Sequence, residues 1–218
     1  MYQMTLSLFL DSTLETIYMA GFSSITAMVV GLPLGVILYI TRKKGIFENQ
    51  AIYKILSFIV NIMRSIPFLI LMVSVIPLTR FITGTSIGPH AAIVPLSLSA
   101  MPFIARIVEN AMLEVNKGLI EAATAMGANN WQITFKVLIP ESLSNIINGL
   151  TLTVINLIGY SSMAGAVGGG GLGDLAIRYG YQRFDTKIML ITIIIIVALV
   201  QIVQIIGDKF AKHFNQGK

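Results

Sequence analysis

The sequence predicts an all-α polytopic membrane protein with one domain of about five transmembrane helices. Two observations carry this prediction. Of the 218 residues, 55% are hydrophobic and 11% are charged, whereas a soluble domain carries about 25% charged residues. The charges also fall between long apolar stretches, and the mean hydropathy is +0.81. An ordinary soluble domain is therefore excluded.

The remaining composition narrows the function classes. The net charge is +5, but the basic residues bracket apolar stretches and form no patch of the kind that binds nucleic acid. The chain has no cysteine, which excludes a disulfide framework, zinc–thiolate clusters and thiol nucleophiles.

The predicted spans follow from the spacing of the charges. The uncharged stretch from Ile17 to Thr41 is long enough to cross a hydrocarbon core of about 30 Å, and the last span contains the run Ile193 to Ile196. Met1 to Glu15 has no Lys or Arg, so we expect it to stay attached and not to be a cleaved signal. In chain order, the predicted spans cover residues 17–41, 55–79, 90–107, 142–167 and 187–207.

The orientation is predicted from the distribution of Lys and Arg. One side of the predicted topology receives most of them, and that side is expected to be cytoplasmic. The N-terminus is then outside, the C-terminus is inside, and the longest cytoplasmic loop covers residues 108–140. The basic residues on the cytoplasmic side are Arg42, Lys43, Lys44, Lys54, Arg106, Lys117, Lys136, Lys209, Lys212 and Lys218.

The long loop carries the most specific pattern in the chain. Residues 118–126 favour a helix, Gly127 suits the left-handed residue that closes it, and Asn129 or Asn130 can cap a second helix that starts at Trp131. Pro140 then allows a fresh helix to begin. Ala122 and Ala123 keep one face thin enough for another protein to approach closely, with apolar contact from Trp131, Ile133 and Phe135. The alternative is an ordinary amphipathic connector.

The motif resembles the cytoplasmic loop of permease subunits of bacterial ATP-binding-cassette importers. It consists of Glu121, Ala122 and Ala123, then Gly127 after three intervening residues, and ends at Pro140. Val137 and Ile139 replace the family's Ile and Leu, which are conservative changes. The resemblance implies a type I importer permease fold, a homodimer, a pair of cytoplasmic ATPase subunits that bind ATP and Mg²⁺, and an extracytoplasmic substrate-binding protein. In this interpretation the loop couples the permease to the ATPase.

Further segments resemble the methionine importers of this family, which implies that methionine, D- and/or L-, is the substrate. Another amino acid or a small polar solute remains open. The segments that carry this resemblance are residues 64–68, 84–88, 102–106, 159–163 and 168–173.

Two other features suggest a translocation pathway. In the fourth span, polar and bulky residues recur at three- and four-residue intervals and so share one helix face; they are Asn145, Asn148, Leu152, Asn156, Tyr160 and Met163. This face either packs against a helix or second copy, or lines the substrate path through Asn156, Tyr160 and Met163. Arg64 falls inside the second span, where a charge is costly; it either lines the cavity or holds a helix end, or it snorkels to lipid headgroups.

The glycine run at residues 168–171 is not a phosphate loop, because no Gly-Lys-Ser/Thr follows it and Asp174 does. We expect either a flexible extracytoplasmic turn or a place where two copies pack closely. His90 and His213 lack a carboxylate or second His at ligand spacing, so neither a metal site nor acid–base chemistry is predicted. One rival function is an ion-coupled carrier, but the predicted spans contain no Asp or Glu for ion coupling. The other is an intramembrane enzyme, but Ser161 and Ser162 have no His or Asp inside the membrane to activate them.

Overall fold

The computed structural model describes residues 2–215, with side chains described for residues 6–214. Within this part of the chain every regular element is helical. It holds four helices that are long and apolar enough to span a membrane, or five if a bent pair is counted as one span. The predicted all-α membrane fold with about five spans is therefore confirmed.

Helix α1 covers Tyr2–Thr41 and is the longest element of the described chain. The helix begins well before the predicted span of residues 17–41, because no residue before Ile17 interrupts it. Gly31 and Gly35 face helix α5, Pro89–Leu113. A Cβ at these positions would lie 2.7 Å from the Cβ of Ile104 and 2.5 Å from the Ala105 carbonyl oxygen. The two glycines therefore allow α1 and α5 to pack as the central pair of the bundle.

The predicted span over residues 55–79 is broken into three helices, which corrects the sequence analysis. Helix α2 covers Gln50–Ser65, α3 covers Phe68–Ser74 and α4 covers Ile76–Thr83. The chain turns by 102° between α2 and α3. Ile66 is extended, with ψ 121°, because a residue before proline is disfavoured in the helical region and Pro67 follows it.

The helix of the third span continues six residues beyond its predicted end at residue 107. Helix α5 continues to Leu113 and buries Glu109, which is 3% exposed. Helix α6, Lys117–Ala125, follows after a short turn. The last helix, α10, covers Thr186–Asn215.

Pro140 lies in the first turn of helix α8, as predicted, but α8 is not separated from the helical residues before it. Helix α7 at Asn130–Gln132, a π-helical segment at Ile133–Leu138 and helix α8 at Ile139–Ala166 form one continuous stretch. The N–H of Ile139 donates to the carbonyl of Thr134, five residues earlier. We infer that this wider turn accommodates Pro140, which has no N–H to donate and whose ring would clash in a regular helix.

The glycine run packs against its own chain, so it is not an open turn. Gly88 N–H donates to the Gly168 carbonyl over 2.8 Å. The N–H of Gly171, which begins helix α9 at Gly171–Leu175, donates to the Glu15 carboxylate over 2.7 Å. A Cβ at Gly170 would lie 2.8 Å from the same carboxylate. We call the end of the bundle that holds this run the glycine end, and the end that holds α6 the loop end.

Candidate coupling segment and translocation face

The coupling segment, residues 117–140, begins with α6, which ends in a well-defined cap. Gly127 has φ +82°, the left-handed conformation predicted for it. Its N–H donates to the Thr124 carbonyl over 2.9 Å, and the N–H of Ala128 donates to the Ala123 carbonyl over 3.0 Å. This pair of bonds is the Schellman motif, which satisfies carbonyls at a helix end. The turn therefore depends on a residue that tolerates positive φ.

A capping box fixes the start of the second helix. The Asn129 side chain accepts from the N–H of Gln132 over 2.9 Å, and the Gln132 side chain accepts from the N–H of Asn129 over 2.9 Å. Asn129 is the cap and the helix starts at Asn130, one residue before the predicted Trp131. The two caps together set the angle between α6 and the following helix.

The coupling segment exposes several large apolar side chains. Glu121, Ala122 and Pro140 are exposed, and so are Met126 at 82%, Trp131 at 59% and Phe135 at 57%. Two expectations were wrong: Ala123 and Ile133 are buried, at 5% and 3% exposed, because both contribute to the main core cluster. Large exposed apolar side chains at one site are typical of a surface that binds another protein.

The loop between α1 and α2 supports this surface, which the sequence analysis missed. The ring of Phe47 lies 5.1 Å from that of Trp131, and Trp131 lies 5.8 Å from Phe135. The Asn130 side-chain amide donates to the Ile46 carbonyl over 3.0 Å. Hydrogen bonds from the Gln50 side chain and the Lys44 backbone lower the pKa of the nearby Glu48 carboxyl. We call residues 42–49 the bracing loop.

The predicted polar face of α8 lies on the outside of the single chain. Asn145, Asn148 and Asn156 are exposed, as are Leu152 at 57% and Met163 at 46%. Tyr160 is half-buried, and its ring stacks on Phe68 at 4.8 Å with an interplanar angle of 5°. Three asparagine side chains and a half-buried tyrosine along one side of an apolar helix are costly to expose to lipid.

Arg64 lies beside this face. The prediction that it sits deep inside a continuous span was wrong: it occupies the last turn of α2, next to the break at Pro67. Its guanidinium carbon lies 4.9 Å above the ring of Phe103. Arg64 and Tyr160 both line an open pocket of about 190 Å³, so two residues that the sequence analysis considered separately lie at one site.

A partly buried polar network at the loop end was not predicted. Arg106 forms an ion pair of 2.5 Å with Glu109 and donates to the Asn61 side chain over 2.9 Å. The Tyr53 hydroxyl also donates to Glu109, over 3.1 Å. The network joins α2 to α5. The only signal in the sequence was an acid three residues after a base, a spacing that places both on one helix face.

The fold and these surfaces define an integral-membrane protein with exposed apolar side chains on a helical segment at one end and a polar face along one helix. Residues 31–216 match the family model described as "Binding-protein-dependent transport system inner membrane component". The chain belongs to this family and is a permease subunit of an ATP-binding-cassette importer. The resemblance drawn from the coupling segment is confirmed, and the importer is favoured over the ion-coupled carrier.

Individual relatives agree with this assignment. The chain is 50% identical over 205 residues to the probable D-methionine transport system permease protein MetI of Vibrio cholerae, covering 94% of this chain and 91% of the relative. It is 52% identical over 204 residues to the corresponding Pasteurella multocida protein, covering 94% of each. A solved structure of the inward-facing MetNI methionine ABC transporter matches with a TM-score of 0.95 and 48% identity, covering 98% of this chain and 99% of that one.

Proposed function

We propose that the chain is the permease subunit of an ATP-driven importer that moves methionine, as the D- and/or L-form, across the inner membrane. Methionine is supported by the names of relatives with about half of their residues identical over most of both chains. Another amino acid or a small polar solute is the second candidate, since the exposed polar face of α8 is not specific to one side chain.

The exposed polar face of α8 is the observation that carries a transport role for this chain. A single copy leaves Asn156 and Met163 exposed and Tyr160 half-buried. A second copy that meets the first along this face would shield the polar groups from lipid and enclose a path. The permease therefore acts as a homodimer, with the translocation pathway along the dimer axis.

ATP hydrolysis resides on a pair of separate ATPase subunits, which bind ATP and Mg²⁺. Each ATPase docks on a coupling segment through Glu121, the exposed Ala122 and the aromatic surface around Trp131. Gly127 sets the turn and Pro140 follows the π-helical segment. Closure of the ATPases moves these segments and opens the path alternately to each side.

The protein spans the inner membrane with its N-terminus outside and its C-terminus and coupling segment in the cytoplasm. The clustering of Lys and Arg at the loop end supports this orientation. A binding protein outside the membrane then delivers substrate at the glycine end.

The test is uptake into proteoliposomes. The permease is reconstituted with its candidate ATPase, with ATP inside the vesicles and with binding protein and labelled methionine outside. ATP-dependent methionine accumulation that requires all three proteins is expected. Uptake by the permease without the ATPase, or uptake of a different solute with methionine excluded, would contradict the proposal.

A further inference from the structure

One cation of the chain faces a pocket next to the proposed path. Arg64 lines the pocket at the α2–α3 break and lies over the ring of Phe103. Arg106 and Arg178 are each paired with a carboxylate, whereas Arg64 has neither an ion pair nor a hydrogen bond to the described part of the chain. A cation–π contact uses the face of the guanidinium and leaves its N–H donors available.

The walls of the pocket combine hydroxyl groups with aromatic surface. Ser65, Ser99 and Tyr160 supply the hydroxyls, while Phe68 and Phe103 supply the rings. Phe68 and Tyr160 are stacked nearly parallel and together supply one apolar wall. The pocket thus offers a positive charge and an apolar surface side by side.

The helix break adds partial negative charge to the pocket, opposite in sign to the charge of Arg64. Met63 also lines the pocket, and its carbonyl lacks the usual donor four residues later because that residue is Pro67. Carbonyls at a helix C-terminus carry partial negative charge and favour a cation. A zwitterion can therefore place its two charged groups against different parts of one pocket.

We infer that Arg64 binds the α-carboxylate of the transported amino acid in this pocket, an inference that rests on the proposed function. A guanidinium holds a carboxylate with two parallel hydrogen bonds. The ammonium group then lies toward the end of α2, and the apolar side chain lies against Phe68 and Tyr160. A lipid phosphate could use the same guanidinium, but Phe103 of α5 and Tyr160 of α8 place the pocket between helices, where the proposed path runs.

The test uses a single cysteine, since the chain has none of its own. Ser65→Cys is introduced into the full permease, which is reconstituted with its ATPase in nanodiscs, and its labelling rate by a thiol reagent is measured. Methionine should slow labelling, whereas methioninol, which lacks the carboxylate, should not. Adding Arg64→Gln should abolish the protection, and Lys54→Gln, which removes a charge from the same helix, should preserve it.

Equal protection by methionine and methioninol, or protection that survives Arg64→Gln, would overturn the inference. Labelling that responds to the anionic lipid content of the nanodisc, and not to methionine, would show that Arg64 binds a lipid headgroup and would also overturn the inference. If Ser65→Cys labels poorly, equilibrium binding of labelled methionine is measured instead. Arg64→Gln should weaken this binding by about tenfold or more.

Uptake separates this inference from the proposed function. If the native complex takes up no methionine, the proposed function fails and this inference with it. If the native complex takes up methionine and Arg64→Gln does so equally well, only the inference about Arg64 fails. Arg64→Lys should restore part of the uptake lost in Arg64→Gln, because it retains the charge without the planar pair of donors.

Discussion

The hydroxyl of Tyr53 on α2 donates a hydrogen bond of 3.1 Å to the carboxylate of Glu109 on α5. Glu109 is 3% exposed and also pairs with Arg106. The carboxylate therefore compensates the charge of Arg106, which is itself mostly shielded. It also fixes the N-terminal end of α2 against α5. The bracing loop leads directly into this end of α2.

Glu109→Ala should destabilise the permease by about 3 kcal/mol or more, because it leaves the mostly shielded Arg106 guanidinium with neutral acceptors only and without its carboxylate. Tyr53→Phe removes one hydrogen bond to a charged group and should cost about 1.5 to 3 kcal/mol. Thermal unfolding of the purified protein in detergent measures both. Glu121→Ala removes an exposed acid on α6 and is the matched control; an equal loss in that variant would show that Glu109 has no special role.

Gly127→Val should lower transport while membrane insertion survives. A left-handed conformation costs a residue with a side chain roughly 1 to 2 kcal/mol, and a Cβ at Gly127 meets nothing within 4 Å, so the effect is conformational and not a clash. Gly127→Asn, which tolerates positive φ, is the control and should transport better than Gly127→Val. Normal uptake by the valine variant would contradict this account of the turn. Charge reversal by Glu121→Lys tests separately whether that side chain contributes to docking.

Phe47→Ala should weaken binding of the ATPase, because it removes the ring that supports Trp131 from the bracing loop. The measurement is the concentration of ATPase needed to saturate the reconstituted permease. Phe81→Ala, an 88% exposed ring near the glycine end, is the control. Equal effects of the two variants would mean that the bracing loop does not support the docking surface.

Much of the coupling segment could be predicted because its signals are local. A glycine after a helix-forming run and an asparagine three residues before a glutamine each determine a cap through neighbours in the chain. The break at Pro67 could not be located in this way, since proline is also tolerated within continuous membrane helices; Pro33 and Pro102 lie inside such helices here. The contacts of Glu15 with Gly171 and of Tyr53 with Glu109 join distant parts of the sequence, and no local pattern encodes them.

The topology can be tested with the same cysteine-free background. A cysteine at Thr85 should be labelled from outside the cell by a reagent that does not cross the membrane, and one at Asn129 should not. Both positions are exposed, so accessibility differs only by side. Labelling of Asn129→Cys but not Thr85→Cys in intact cells would show that the orientation is the opposite one and that the coupling segment does not face the cytoplasm.

Met163→Ala should loosen the selectivity of the path more than it harms folding. Met163 is 46% exposed and lies three residues after Tyr160 on the polar face of α8, so two copies would bring two thioethers and two aromatic rings together at the dimer axis. Such side chains can close a gap to water and still change rotamer to admit a substrate. The variant should still assemble with the ATPase, but it should admit a broader range of amino acids or hydrolyse more ATP without delivered substrate. Leu190→Ala removes a similarly exposed side chain from α10 and should change neither quantity. Unchanged selectivity and unchanged basal hydrolysis in Met163→Ala would show that this face of α8 serves only for packing.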